Sequence, residues 1–175
     1  MPADRRLAIF AAAIDRLTAV VGRAVTWGLL AMVLVQVTVV LMRYVLGVGS
    51  IWLSEAIVYA HATLFMAAAA WVLQRGGHVR VDIFYADAAP RTRAIVDLAG
   101  ALLLLLPFVG VLAWVSLPYV ARSWAILERS REASGLPLVF LLKTLIPLFA
   151  LLLALQGLAQ AARAWLVLGA APPDR

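Results

Sequence analysis

Gln74 to Arg93 reads QRGGHVRVDIFYADAAPRTR, the longest polar interval between two long apolar runs. It carries four arginines, two aspartates and one of the two histidines in the chain. Each Arg at the centre of a bilayer costs at least ~2.5–3.5 kcal/mol on insertion scales, so a stretch this basic does not cross one. The apolar runs on either side, 51–73 and 94–121, therefore enter and leave the same membrane surface. Two hairpins of helices hang from that surface, and the excess of arginine marks it as cytoplasmic.

Composition narrows the class further. Of 175 residues, 65% are hydrophobic and 14% are charged. Soluble domains hold roughly 45–50% apolar residues, and runs of twenty or more mark membrane helices. The net charge of +6 comes from arginines that flank apolar runs, which is what membrane orientation requires and not what a nucleic-acid surface looks like. With no cysteine, disulfides, thiolate metal sites and cysteine nucleophiles are excluded.

Working outward, Leu7, Phe10, Ile14, Leu17 and Val21 recur at helical spacing opposite Arg6, Asp15 and Arg16. This predicts an amphipathic helix over 7–23 lying in the headgroup plane. Asp15 and Arg16 interrupt the apolar run too early for a signal-peptide core, so the segment is expected to be retained. Four membrane spans follow over 24–42, 51–73, 94–121 and 137–162. Arg43 and Tyr44 close the first as a snorkelling cation beside an interfacial aromatic. Pro107 is expected to kink the third. Gly76-Gly77 reads as the stop of the second. The 122–135 connection is either a short helix resting on the membrane or a partner, or a solvated charged loop. The fold class is thus an all-α integral membrane protein: four transmembrane helices behind an N-terminal interfacial one, both termini cytoplasmic.

Ionisable groups inside spans are functional candidates by default. Glu55 lies ~6 Å along the second helix, shallow enough to stay near water, and His61 lies deeper. A neutral imidazole bonded within the bundle is the plain reading of His61. The two histidines, His61 and His78, are seventeen positions apart, or ~25 Å along a helix, and cannot supply both axial ligands of one haem. His78 with Asp82 makes two metal ligands, which is not a site. No nucleophile has a base, no glycine loop could cradle phosphate, and no cofactor is expected.

These residues support a resemblance. In order along the chain stand Arg43-Tyr44-Val45-Leu46 at the end of span one, Trp52 and Glu55 at the start of span two, Gly77-His78-Val79-Arg80-Val81-Asp82 after it, then Pro90, Arg93, Ser134, Pro137 and Pro147. The set resembles the small four-helix (DctQ-type) membrane subunit of tripartite ATP-independent periplasmic, or TRAP, transporters. Lys143 and the charged connection around 127–134 depart from a generic member. The resemblance implies an inner-membrane scaffold without chemistry of its own. Its partners would be a large multi-span subunit carrying the ion and substrate sites and a periplasmic protein that captures an organic acid. Arg43, Trp52, Glu55, His78, Arg80, Asp82 and Lys143 are the candidate interface or structural residues. The competing reading is a self-sufficient oligomeric exporter with Glu55 as its coupling carboxylate.

Glu55 and Lys143 raise one more expectation. Both lie within ~10 Å of the end of the bundle away from the arginine-rich stretch, at 1.5 Å per residue. Opposite charges at matched depth pair in preference to facing lipid. Glu55 is therefore expected to tie the outer ends of the bundle together through Lys143 or Arg43.

Overall fold

The computed structural model describes residues 2–78, 85 and 87–170. Helix α1 spans Pro2–Tyr44, α2 Ile51–Gln74, α3 Pro90–Ala99, α4 Leu106–Ala125 and α5 Val139–Gly169, with a π-helical turn, Gly100–Leu105, joining α3 to α4. No described residue is in a strand. Four units are long and apolar enough to cross a membrane: Asp4–Tyr44, Ile51–Gln74, Pro90–Ala125 and Val139–Gly169. The protein is an all-α, four-span membrane protein.

The first unit differs from expectation. Residues 7–23 do not form a separate interfacial helix, because α1 runs unbroken for 43 residues, about 64 Å at 1.5 Å per residue. No proline stands near the break expected at 23–24, and the adjacent Gly22 is packed against Trp71. The packed face is also not the expected one, since Phe10 and Leu17 are exposed and Asp15 turns inward. Ala11, Ile14 and Thr18 are buried, and the first two pack on Ala159 and Ala162 of α5. The ends also extend further than the polar sequence implied: α1 is helical from Pro2, and α5 continues through Arg163 to Gly169.

Helix α5 is central. Every other helix approaches it, α1 and α2 also approach each other, and α4 packs on α5 and its own preceding turn. Its buried positions include Ala150, Gly157, Ala159, Ala161, Ala162 and Ala164. Small side chains let backbones come close, which is how helices associate where lipid removes the hydrophobic drive. The mid-bundle core joins Ala70 of α2, Val109 of α4 and Ala150, Leu152 and Leu153 of α5. Gly22 fits against Trp71, whose ring occupies the space a Cβ would need.

Proline accounts for the third unit. Pro107 has no N–H to give, and its ring crowds the carbonyl four residues earlier. The chain widens by one residue just before it: the Leu106 N–H bonds to the Ala101 oxygen, five residues back. The expected kink is therefore a π-helical turn. The second span ends as its glycines indicated, with Gly76 at φ +67° and its N–H on the Leu73 oxygen at 3.0 Å.

Candidate functional site

Side-chain chemistry gathers at the two ends of the bundle. At the Ser50 end, Ser50 caps α2 by accepting the Leu53 N–H at 3.3 Å. One turn on, Glu55 reaches the connection between α4 and α5. Its Oε2 accepts the Leu136 N–H at 2.6 Å, and its Oε1 accepts the Ser130 hydroxyl. Gly135 fits this corner by having no side chain, since a Cβ there would stand 2.8 Å from Glu55 Oε1. The connection is therefore pinned and is neither a membrane-resting helix nor a free loop. Ser130 N–H bonds the Leu136 oxygen at 3.2 Å and closes it on itself.

The expected tie from Glu55 to Lys143 or Arg43 is not there. Lys143 Nζ donates instead to Glu128 Oε2 at 2.5 Å, and Ser123 Oγ donates to the same oxygen at 2.7 Å. The ammonium also lies 4.1 Å from the centre of the Tyr119 ring. Next to it, Trp124 Nε1 donates to Thr144 Oγ1 at 2.8 Å and its ring meets Phe140 edge-on at 4.7 Å. Glu128 lies outside the spans. The hydrogen bond from Lys143, and then that from Ser123, hold its carboxyl below the ordinary value of 4.5. Arg43 is exposed at the end of α1 and lines an open groove of about 530 Å³ with Ser50, Glu55 and Glu132. Trp52 stands half exposed in the first turn of α2, at the level where interfacial tryptophans collect.

At the Gln74 end the structure assembles a network the sequence reading missed. Asp15 of α1 accepts Gln156 Nε2 on Oδ1 at 3.0 Å and Arg163 NH1 on Oδ2 at 2.6 Å, both from α5. Gln74 of α2 donates to the Asp15 carbonyl at 3.1 Å. Gln156 is 0% exposed, and its Oε1 lies 2.9 Å from the Thr18 hydroxyl. That hydroxyl has one proton and two acceptors near it, the Ile14 oxygen being at 2.8 Å. The amide orientation follows, because turning Gln156 over would set its oxygen against a carboxylate. Four side chains of α1 and α5 thus bond one another inside the bundle, and Gln74 of α2 joins them through the Asp15 carbonyl. The signal was present: Asp15 in an apolar helix demands donors at its own depth, and Gln156 and Arg163, seven positions apart, share a face of the last span.

His78 does not meet a metal partner among the described residues; its Nε2 lies 3.2 Å from the Ala69 oxygen, to which it donates. Arg80 and Asp82 lie outside the described residues. Tyr85 donates to Asp97 Oδ2 at 2.8 Å beside a cavity of about 470 Å³ that the π-helical turn borders through Gly100, Ala101 and Leu105. No group of three or more metal-binding side chains occurs among the described residues. His61 departs from its plain reading. It is exposed on the outer surface of α2 and not bonded within the bundle.

The match to known proteins covers most of the chain. Residues 32–167 fit the family described as tripartite ATP-independent periplasmic transporters, DctQ component. Neither the curated proteins nor the solved structures give a match. The matched region takes in all of α2 to α4, the last 13 residues of α1 and nearly all of α5. The chain belongs to the DctQ family, the small membrane component of TRAP transporters.

Proposed function

We propose that this chain is a scaffold subunit with no transport chemistry of its own. It would hold a large multi-span subunit in the bacterial inner membrane while that subunit moves an organic acid, driven by an ion gradient and delivered by a periplasmic binding protein. The supporting observation is the use made of the acidic groups near the spans. Asp15 is engaged by Gln156 and Arg163, Glu55 by Ser130 and the Leu136 N–H, and Glu128 by Lys143 and Ser123. Between the two ends the hydrophobic core cluster is Ala70, Val109, Ala150, Leu152 and Leu153, aliphatic side chains that coordinate neither an ion nor a carboxylate. An exporter coupled through Glu55 would need that carboxylate free to exchange partners, whereas here, at the edge of the groove, both of its oxygens hold the connection in place.

Orientation follows from charge. Arg23, Arg75, Arg91, Arg93 and Arg163 lie toward the Gln74 end, which supports a cytoplasmic location for that end and for both termini. The chain lacks native cysteine, so single cysteines at positions 87 and 49 can be labelled cleanly in intact cells. An impermeant reagent is expected to reach 49 and not 87; the opposite pattern overturns the orientation. The scaffold role is tested by purifying the tagged chain together with its co-expressed large subunit in mild detergent. A stable one-to-one complex is the expected result. A homo-oligomer that excludes the large subunit contradicts the reading.

A further inference from the structure

Helix α2 and the third unit both pack on α5, yet no Cα of one lies within 8 Å of a Cα of the other. A cleft is left between them at the Gln74 end. Leu73 of α2 lines one side of the 470 Å³ cavity, and Val96, Gly100, Ala101 and Leu105 line the other. The π-helical turn puts two small residues, Gly100 and Ala101, where a larger side chain would close the gap. A second cavity of about 320 Å³ adjoins the first, since Tyr85, Asp97 and Gln160 line both. Arg93 and Arg163 border the second. The lining therefore changes along one path. It is aliphatic at Leu105 and Ala101, polar at Gln160 and Tyr85, and cationic at Arg93 and Arg163. Leu105 and Arg93 are twelve positions apart, ~18 Å along a helix, close to the ~15 Å of one hydrocarbon leaflet.

Two of these groups have bonding capacity left over. Gln160 is half-buried within the last span, and among the described residues its amide has no hydrogen-bond partner. Gln156, one turn earlier, shows the contrast: its amide nitrogen meets Asp15 and its oxygen meets Thr18. Arg163 carries five N–H donors. Among the described residues Asp15 alone accepts from it, through NH1, and the side chain stays 40% exposed. Hydrocarbon cannot satisfy an amide, and a guanidinium fork suits the paired oxygens of a phosphate.

We infer that this cleft holds one phospholipid of the leaflet at the Gln74 end. Its phosphate meets Arg163 and Arg93, an ester carbonyl accepts from the Gln160 amide, and an acyl chain runs along Ala101 and Leu105. Basic pockets between membrane helices on the arginine-rich side take such headgroups. A free phosphate would use the arginines and leave the aliphatic cavity empty. An apolar side chain of a partner would fill the cavity and leave Gln160 and Arg163 unused. Asp15 and Asp97 nearly balance the two arginines, so the site reads the phosphate by its hydrogen bonds and does not require a net-negative lipid. Asp97 itself accepts the Tyr85 hydroxyl at 2.8 Å. The lipid completes the packing between α2 and the third unit that the protein leaves open, whether or not the chain is a scaffold.

The test is native mass spectrometry of the full chain extracted from membranes in mild detergent, with any retained lipid identified by fragmentation. One phospholipid per chain, held under conditions that strip bulk lipid, is the expected result. Val96 lines the cleft and is 52% exposed, so Val96→Trp should fill the cleft and abolish retention with the unfolding temperature unchanged. Arg163→Gln should lower the retained fraction about fivefold, from what one basic side chain contributes at a membrane surface. Gln160→Leu should lower it about threefold, and it leaves the Asp15 network intact. Arg23→Gln removes an arginine that borders neither cavity and should change nothing. Retention that survives Val96→Trp, or falls as far with Arg23→Gln, would mean general adsorption and overturn the site. Displacement of the lipid by inorganic phosphate would overturn the acyl-chain assignment. A wild-type chain that retains no lipid would overturn the inference outright.

Discussion

The two ends of this bundle are tied in different ways. At the Gln74 end, Asp15, Gln156 and Arg163 join the first helix to the last across more than 140 positions of sequence, and Gln156 is wholly buried. At the Ser50 end, the ties run to a connection. Glu55 holds the 130–136 segment, and Lys143 meets Glu128 fifteen positions away, a pair no more exposed than Arg163 and Asp15 at the other end. The first set of ties fixes which helices are neighbours. The second fixes a loop. Breaking the first should therefore cost fold stability, and breaking the second should mostly free the connection.

The sharpest break is at Asp15. Asp15→Leu leaves the Gln156 amide and the Arg163 guanidinium without their acceptor. A loss of about 1–3 kcal/mol is expected from the orphaned Gln156 amide, while Arg163, 40% exposed, can turn to water. Thermal unfolding in detergent reads this directly. Adding Gln156→Leu should recover part of the loss, because removing both partners is gentler than stranding one. Strict additivity of the two would show that the network is not a unit.

A comparable steric break is available next to it. Gly22→Val puts a branched side chain where the Trp71 ring lies. Overpacking of this kind costs about 1–3 kcal/mol and should loosen α1 from α2. Unchanged unfolding temperature would mean that Trp71 is free to move aside.

At the other end Glu55→Ala is expected to lower global stability by about 1–2 kcal/mol, through the stranded Leu136 N–H and Ser130 hydroxyl. Its larger effect should be local: faster protease cleavage within 128–135. Glu55 and Lys143 share no partner, so their single effects should add within about 0.5 kcal/mol, whereas Glu128 and Lys143 should not add. Coupling between Glu55 and Lys143 would restore the tie expected from depth alone.

The smallest effect concerns pH. Glu128 is held below its ordinary value, so the folded protein keeps it charged more readily than the unfolded chain does. Its contribution is complete above about pH 4.5 and is lost as pH falls through the lowered value. Wild type is expected to lose slightly more stability than Glu128→Gln over that acidic interval, in a Tm comparison. Identical slopes would remove Glu128 from the account.

How much of this was legible in the sequence depends on whether the information was periodic. The spans were, because twenty-residue apolar runs need no register to be seen. Pro107 was also legible, since a missing N–H has a local consequence whatever surrounds it. Lys143 pairs with Glu128 and not with Glu55: a position along a helix follows from counting, but which side chain in the 122–135 connection folds back onto it does not. In the sequence Asp15 reads as part of a polar helix face and as an interruption of an apolar run. Its role depends on α1 lying against α5, a contact between the first and last helices that no local pattern encodes. Likewise, His61 looks like an ordinary bundle residue until the structure shows it facing outward.

The scaffold assignment is tested most directly by ion-gradient-driven uptake in vesicles, using the substrate that the cognate periplasmic binding protein captures. Vesicles holding this chain alone should show none, and vesicles holding it with the large subunit should take up substrate once the loaded binding protein is added. Saturable, gradient-dependent uptake by this chain alone would contradict the account.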